Sequence, residues 1–237
     1  MTSLRRAADR RAADPPAAVL WDMDGTLVDT EPYWMSAEQE LVVSYGGSWT
    51  AEDGLTLVGA GLRHSAAILR GRGVELSEDE IIEHLTERVL EQTRVAIPWQ
   101  PGAQELLVAL HDDGIPAALV TMSMRPLARY IADSFDFPAF ATIVTGGDVS
   151  HAKPHPEPYL RAARILGVEP GDCLAIEDSV PGLASATASG AVVIGVPAHI
   201  PLQESPAYTL WPTLAGKTVA DLASVFSENH SPVEVAR

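Results

Sequence analysis

From Pro101 onward the chain alternates short apolar runs with stretches of helical periodicity, and this alternation restricts the fold more than any other feature of the sequence. Residues 104–110 read as a helix stopped near Gly114, and residues 117–120 as a strand. The pattern then repeats: helix 127–134 and strand 141–144, helix 156–166 closed by Gly167, strand 173–176, helix 182–188 stopped at Gly190, and strand 192–196. An earlier apolar run at 17–21 adds one more strand. Short connections between alternating elements imply βαβ units and a parallel sheet covered on both faces. The expected fold class is therefore α/β, with a Rossmann-like parallel sheet as its core. A sheet of this kind carries its ligand site beyond the carboxyl ends of the strands.

The residues at those ends carry chemistry. The first strand runs into Asp22-Met23-Asp24-Gly25-Thr26 and the second into Thr121-Met122-Ser123. Lys153-Pro154-His155-Pro156 follows the third, and Glu177-Asp178-Ser179 ends the fourth. Positions i and i+2 at a strand end point the same way, so Asp22 and Asp24 face one site. Gly25 permits a tight turn behind them. Four gathered carboxylates repel one another unless they are protonated or neutralised by a hard cation, and Mg2+ suits an all-oxygen site. One carboxylate can attack phosphorus while another works as acid and base. Lys153 and the metal would offset the phosphoryl charge, and the Thr121 hydroxyl would donate to it. Taken singly each piece has an ordinary reading: a solvated D-x-D turn, a structural Thr, a rigid Lys-Pro turn, an N-cap at Glu177-Asp178. Their joint order along successive strand ends favours the site.

Between the first two of these strand ends lies a long stretch with helical patterning. Helices are expected over 38–45 and 62–70, and Ser77-Glu78-Asp79-Glu80 has the form of a capping box in front of Ile81, Ile82, Leu85, Val89 and Leu90. The expected organisation is a disordered tail over 1–16, the Rossmann-like core over 17–30 and 99–228, a helical cap over 31–98, and a loose C-terminal tail over 229–237. Thr218 is expected to cap a final helix reaching Val225.

Charge narrows the partners. A formal net charge of -16 argues against nucleic acid, whose binding needs a basic patch, and would repel a phosphorylated ligand at long range. Local cations must then hold the ligand, and Lys153 is one of only two lysines. No apolar stretch approaches the ~20 residues that span a bilayer. The arginine-containing N-terminus lacks the apolar segment of a secretory signal. The single cysteine, Cys173, reads as a small buried hydrophobe, and a reducing cytoplasm is the simplest setting. Oligomeric state is left open, with a monomer sufficient.

The segments DMDGTLVDTEP, VTMS, KPHPEPYL and IEDSVPGLASATASGA resemble the four motifs of the haloacid dehalogenase superfamily, over about residues 17 to 200. An insert of this size between the first two motifs resembles the subgroup with a small helical cap. The resemblance implies that Asp22 is the nucleophile and Asp24 the general acid/base. It further implies that Asp22, the Asp24 carbonyl and Asp178 hold Mg2+ with Glu177 beside them, and that Thr121, the Met122 amide and Lys153 bind the phosphoryl group. Dehalogenases of this family lack the second carboxylate of the first motif, and phosphonate-cleaving members need a cap lysine that is absent between Glu31 and Pro98. The expected activity is hydrolysis of a small phosphomonoester, a sugar or polyol phosphate. A β-phosphoglucomutase-like mutase is the rival, although Leu62 stands where that enzyme has Arg. A non-catalytic phosphate-binding regulator is the third reading. Arg63, His64, Ser123 and Arg125 are candidate substrate contacts, and Trp34 is expected to be core packing at the base of the cap.

Overall fold

The computed structural model describes residues 14–230. Six strands, β1 (Ala18–Trp21), β2 (Ala117–Val120), β3 (Thr142–Val144), β4 (Cys173–Glu177), β5 (Val192–Gly195) and β6 (Thr209–Leu210), form one sheet in the order β3-β2-β1-β4-β5-β6. Every neighbouring pair is parallel. The strands β1, β2, β4 and β5 are buried along their whole length, which is why they read as unbroken apolar runs. Their period of two divides the sheet into two faces. Val19, Trp21, Leu119, Leu174 and Ile176 enter one core, while Ala18, Leu20, Ala118, Val120 and Ala175 enter the other. The α/β class and the parallel core are as the sequence indicates. The two-residue β6 was not anticipated, because so short an edge strand leaves no periodic signal.

Helices α1 (Glu31–Ser44), α2 (Ala51–Leu55), α3 (Leu62–Gly71) and α4 (Glu78–Val95) all fall between β1 and β2. The chain enters and leaves this stretch side by side: Val28 and Trp99 form an antiparallel bridge, and the Asp29 N–H donates to the Pro98 carbonyl at 2.7 Å. Ser77 and Glu80 cap α4 reciprocally, as their spacing indicates. Helix α1 begins seven residues earlier than the periodicity suggested, with Pro32 in its first turn. The five-residue α2, capped by Thr50 and Asp53, was missed. The remaining helices are α5 (Ala103–Asp112), α6 (Arg125–Ala132), α7 (Glu157–Leu166), α8 (Val180–Ser189) and α9 (Val219–Asn229). Thr218 does cap α9, but the helix continues four residues past Val225.

Most of the two expected tails lies outside the described residues. Pro16 is buried, the Ala17 N–H donates to the Asp172 carbonyl at 2.8 Å, and the Asn229 amide donates to the Val225 carbonyl. Among the described residues no helix is long and apolar enough to cross a membrane. Cys173 is buried, and burial followed by the Asp172 charge pushes its thiol up to about 12, which suits a packing role.

Candidate active site

The strand order reverses direction at β1 and β4, and the two acidic motifs follow those strands. Asp22 comes directly after β1, its N–H donating to the Ile176 carbonyl of β4 at 3.1 Å, and Asp178 comes directly after β4. The turn at Gly25 (φ 88°) folds the chain back so tightly that a Cβ there would lie 2.0 Å from an Asp178 carboxylate oxygen. Glycine at this position thus lets the first motif approach the fourth.

Lys153 is the electrostatic centre of the cluster. Its Nζ lies 2.6 Å from Asp22 Oδ1, 2.6 Å from Glu177 Oε1 and 2.9 Å from the Val120 carbonyl, so all three ammonium protons have partners. Burial by itself would push this ammonium down. Asp22 and Glu177 outweigh it and hold Lys153 above the ordinary lysine value. Burial, and then the Glu177 charge, push Asp22 up, against the pull of Lys153. Asp178 is driven well above the usual carboxylate range by burial and by its neighbours Asp22 and Glu177.

Such strain among carboxylates is the condition a divalent cation relieves. Ligand oxygens of Asp22, Glu177 and Asp178 lie within 4.8 Å of one another, all buried, and an all-oxygen donor set fits Mg2+. Glu177 is nevertheless committed elsewhere. Its Oε1 accepts from Lys153 and from the Tyr159 hydroxyl, and its Oε2 from Ser179 at 3.3 Å. Gly182 backs against it so closely that a Cβ would come within 1.9 Å. These contacts make Glu177 the residue that positions Lys153, and its carboxylate also stands in the buried acidic group beside the expected metal position.

Asp24 sits on the side facing α1. Its Oδ1 accepts from Thr30 Oγ1 at 2.6 Å and from the Trp34 indole at 3.0 Å, and its Oδ2 accepts from Thr121 Oγ1 at 3.1 Å and Ser123 Oγ at 2.7 Å. With four donors on its side chain, Asp24 can offer a metal only its backbone carbonyl. Trp34 is buried, as expected of a packing residue, but it also orients Asp24. Nothing in the sequence paired Thr30, Trp34 or Tyr159 with their carboxylates, because each bond joins elements through the fold.

A small chamber of about 70 Å³ encloses Asp22, Asp24, Thr121, Met122, Ser123 and Lys153. It shares Leu62, Met122 and Lys153 with a wider cleft of about 990 Å³ between α3, α4 and the core. The expected cap contacts belong to that outer cleft. Arg63 and His64 line it, and Arg63, mostly exposed, pairs with Asp79 at 2.9 Å. Arg125 pairs with Asp148 and lines neither cavity, so its expected substrate role is not supported by its position. Leu62 does reach the chamber wall.

Two further acids in that wall, Glu31 and Glu38 of α1, had not been singled out. Burial, then the Asp24 and Glu38 charges, push Glu31 up to about 8; burial pushes Glu38 up to about 7, with the Trp49 indole pulling back. Both folded values lie above the unfolded ones, so the native state binds more protons. Their stabilising contribution is full below the unfolded value and is lost as pH rises through 7 to 8. The metal-free protein should therefore melt on the order of 5 °C lower at pH 8.5 than at pH 5.5, and a Glu31→Gln/Glu38→Gln double variant should flatten the difference. Calorimetry in a chelating buffer reads this, and a midpoint that rises across the same interval would contradict it.

The family model for haloacid dehalogenase-like hydrolases matches residues 16–190. Hexitol phosphatase B of Escherichia coli is 30% identical over 200 residues, covering 81% of this chain and 88% of that protein. Protein CbbY of Rhodobacter capsulatus is 33% identical over 194 residues, covering 77% and 86%. Among solved structures, a mutant of CbbY from Rhodobacter sphaeroides in complex with xylulose-(1,5)bisphosphate superposes with a TM-score of 0.79 at 27% identity, covering 87% of this chain and 99% of that one.

Proposed function

We infer the reaction from one premise: the chain belongs to the haloacid dehalogenase-like hydrolase family. It is a phosphoric monoester hydrolase, and we assign it a small sugar or polyol phosphate as substrate, turned over through a phosphorylated Asp22. The observation that carries this reading is the single cationic side chain of the chamber, Lys153, set 2.6 Å from Asp22 with Asp24 held alongside.

In the first half-reaction an Asp22 carboxylate oxygen forms a bond to phosphorus as the bond from phosphorus to the ester oxygen breaks. Asp24 gives its proton to the departing alkoxide. In the second, Asp24 takes a proton from water as the water oxygen bonds to phosphorus and the bond to Asp22 breaks. Inorganic phosphate leaves, and both carboxylates return to their starting states. Lys153 offsets charge on the transferring group, the Thr121 hydroxyl and the Met122 amide donate to its oxygens, and Thr30, Trp34 and Ser123 keep Asp24 oriented. Asp22, Asp178 and the Asp24 carbonyl would hold Mg2+. When bound, that ion neutralises phosphoryl charge and orients the group toward Asp22. Residues 31–98 act as a cap that excludes water from the chamber.

A mutase or a bisphosphate substrate needs a second anion site. Among the described residues the chamber has no cation beyond Lys153, and the outer cleft sets the carboxylates of Asp79, Glu83, Glu87 and Glu91 against Arg63 and Arg94. That balance favours a single phosphate. Phosphate release should be measured over sugar, polyol, nucleotide and glycolate-type phosphates, with Mg2+ and with chelator. Release from sugar or polyol phosphates that depends on Mg2+ is the expected result. Interconversion of phosphosugar isomers with little free phosphate would favour the mutase, and no release from any member would favour the non-catalytic regulator.

A further inference from the structure

Helix α1 turns one face into the chamber, with Glu31, Trp34 and Glu38 at spacings of three and four residues. Neither Glu31 nor Glu38 forms an ion pair with a described residue, although both sit in a chamber already crowded with Asp22 and Asp24. Glu38 is 5% exposed, and its Oε2 has no hydrogen-bond partner. The Trp49 indole lies near it, but its N–H is likewise left without an acceptor in hydrogen-bonding geometry. Ser65, 4% exposed, adds a hydroxyl from α3 to the same wall, beside the apolar faces of Trp34 and Leu57. A buried acceptor without a donor is unfavourable, so the donor that satisfies Glu38 Oε2 is expected to arrive with a ligand.

We propose that Glu31, Glu38 and Ser65 form a hydroxyl-reading wall that selects polyhydroxylated, carboxylate-free phosphomonoesters. The assignment rests on the phosphatase reading above and narrows its substrate class. Hydroxyls of the leaving group donate to the two carboxyls and exchange with Ser65, while their C–H faces lie against Trp34 and Leu57. A phosphoester that carries its own carboxylate adds a further acid to a chamber that already gathers Asp22, Asp24, Glu31 and Glu38 around Lys153, and is rejected. An ester without hydroxyls leaves the acceptors as they are and gains nothing from them.

The test compares kcat/KM for a hexitol phosphate, phosphoglycolate and p-nitrophenyl phosphate in the wild type, Glu31→Leu, Glu38→Leu and Glu38→Gln. In each leucine variant the hexitol phosphate to p-nitrophenyl phosphate ratio should fall about tenfold or more, chiefly through KM. Glu38→Gln, which keeps an acceptor and removes the acid, should raise phosphoglycolate relative to the hexitol phosphate. Circular dichroism verifies that each variant is folded. If the three ratios stay at wild-type values while p-nitrophenyl phosphate is turned over, Glu31 and Glu38 only pack the wall and the proposal is overturned. A wild type that turns over none of the three esters overturns the phosphatase reading, and this proposal with it.

Discussion

Replacing Asp22 with Asn is expected to abolish phosphate release, lowering kcat by about four to six orders of magnitude. The amide keeps the shape of the carboxylate, and its oxygen can still accept from Lys153, which lies 2.6 Å from Asp22 Oδ1. What it lacks is the anionic oxygen that forms the bond to phosphorus. The substitution also removes one charge from a cluster whose members already push one another upward, so stability should be unchanged or raised. A well-folded protein with no activity is therefore the expected outcome, with no acid-stable phosphate trapped on the chain after quenching. Turnover within tenfold of the wild type, on any ester the wild type accepts, would contradict a covalent role for Asp22.

Lys153→Met should fail differently, by damaging the fold and the activity together. The lysine side chain is 4% exposed, and its ammonium is the counter-charge of two buried carboxylates. Methionine fills the volume of the stem but leaves Asp22 and Glu177 facing each other. Breaking a buried pair in this way costs about 3–5 kcal/mol. For a chain of this size that loss lowers the melting midpoint by roughly 10 °C. The deficit should be larger at pH 8 than at pH 5.5, because the abandoned carboxylates can take up protons at the lower pH. Activity should fall about a hundredfold or more with the loss of the chamber's one cation. Lys153→Arg is not expected to rescue it: a planar guanidinium cannot direct three donors at Asp22, Glu177 and the Val120 carbonyl from the same niche. A midpoint within 2 °C of wild type at pH 8 would show that Lys153 is not the counter-charge of this cluster.

Glu177 and Glu38 show where reading along the chain succeeds and where it stops. Glu177 was visible as part of an acidic pair at a strand end, and its place in the site followed from that. Its commitment to Lys153 and Tyr159 was not visible, because those partners lie 24 and 18 residues away on different elements. Glu38 gave no signal at all. A glutamate on a helix usually belongs to the solvated face, and only the packing of α1 over the strand ends turns it inward. Arg63 and Arg125 pair with the carboxylates of Asp79 and Asp148, partners that spacing along the chain does not reveal; Arg63 also lines the outer cleft, whereas Arg125 lines neither cavity.

The sequence by itself determined the α/β class, the parallel core and the presence of Asp22, Asp24, Thr121, Lys153 and Asp178 at strand ends. These follow from local periodicity, since a buried strand must be apolar throughout and the polar residue that follows it must stand at its end. Tertiary structure decided which donors hold each carboxylate, that Glu177 aims Lys153, that Leu62 and not Arg63 reaches the chamber, and that α1 lends it two more acids. Those assignments depend on contacts between distant segments. Burial and hydrogen-bond geometry, which set their energies, exist only once the helices between β1 and β2 lie against the carboxyl ends of the sheet.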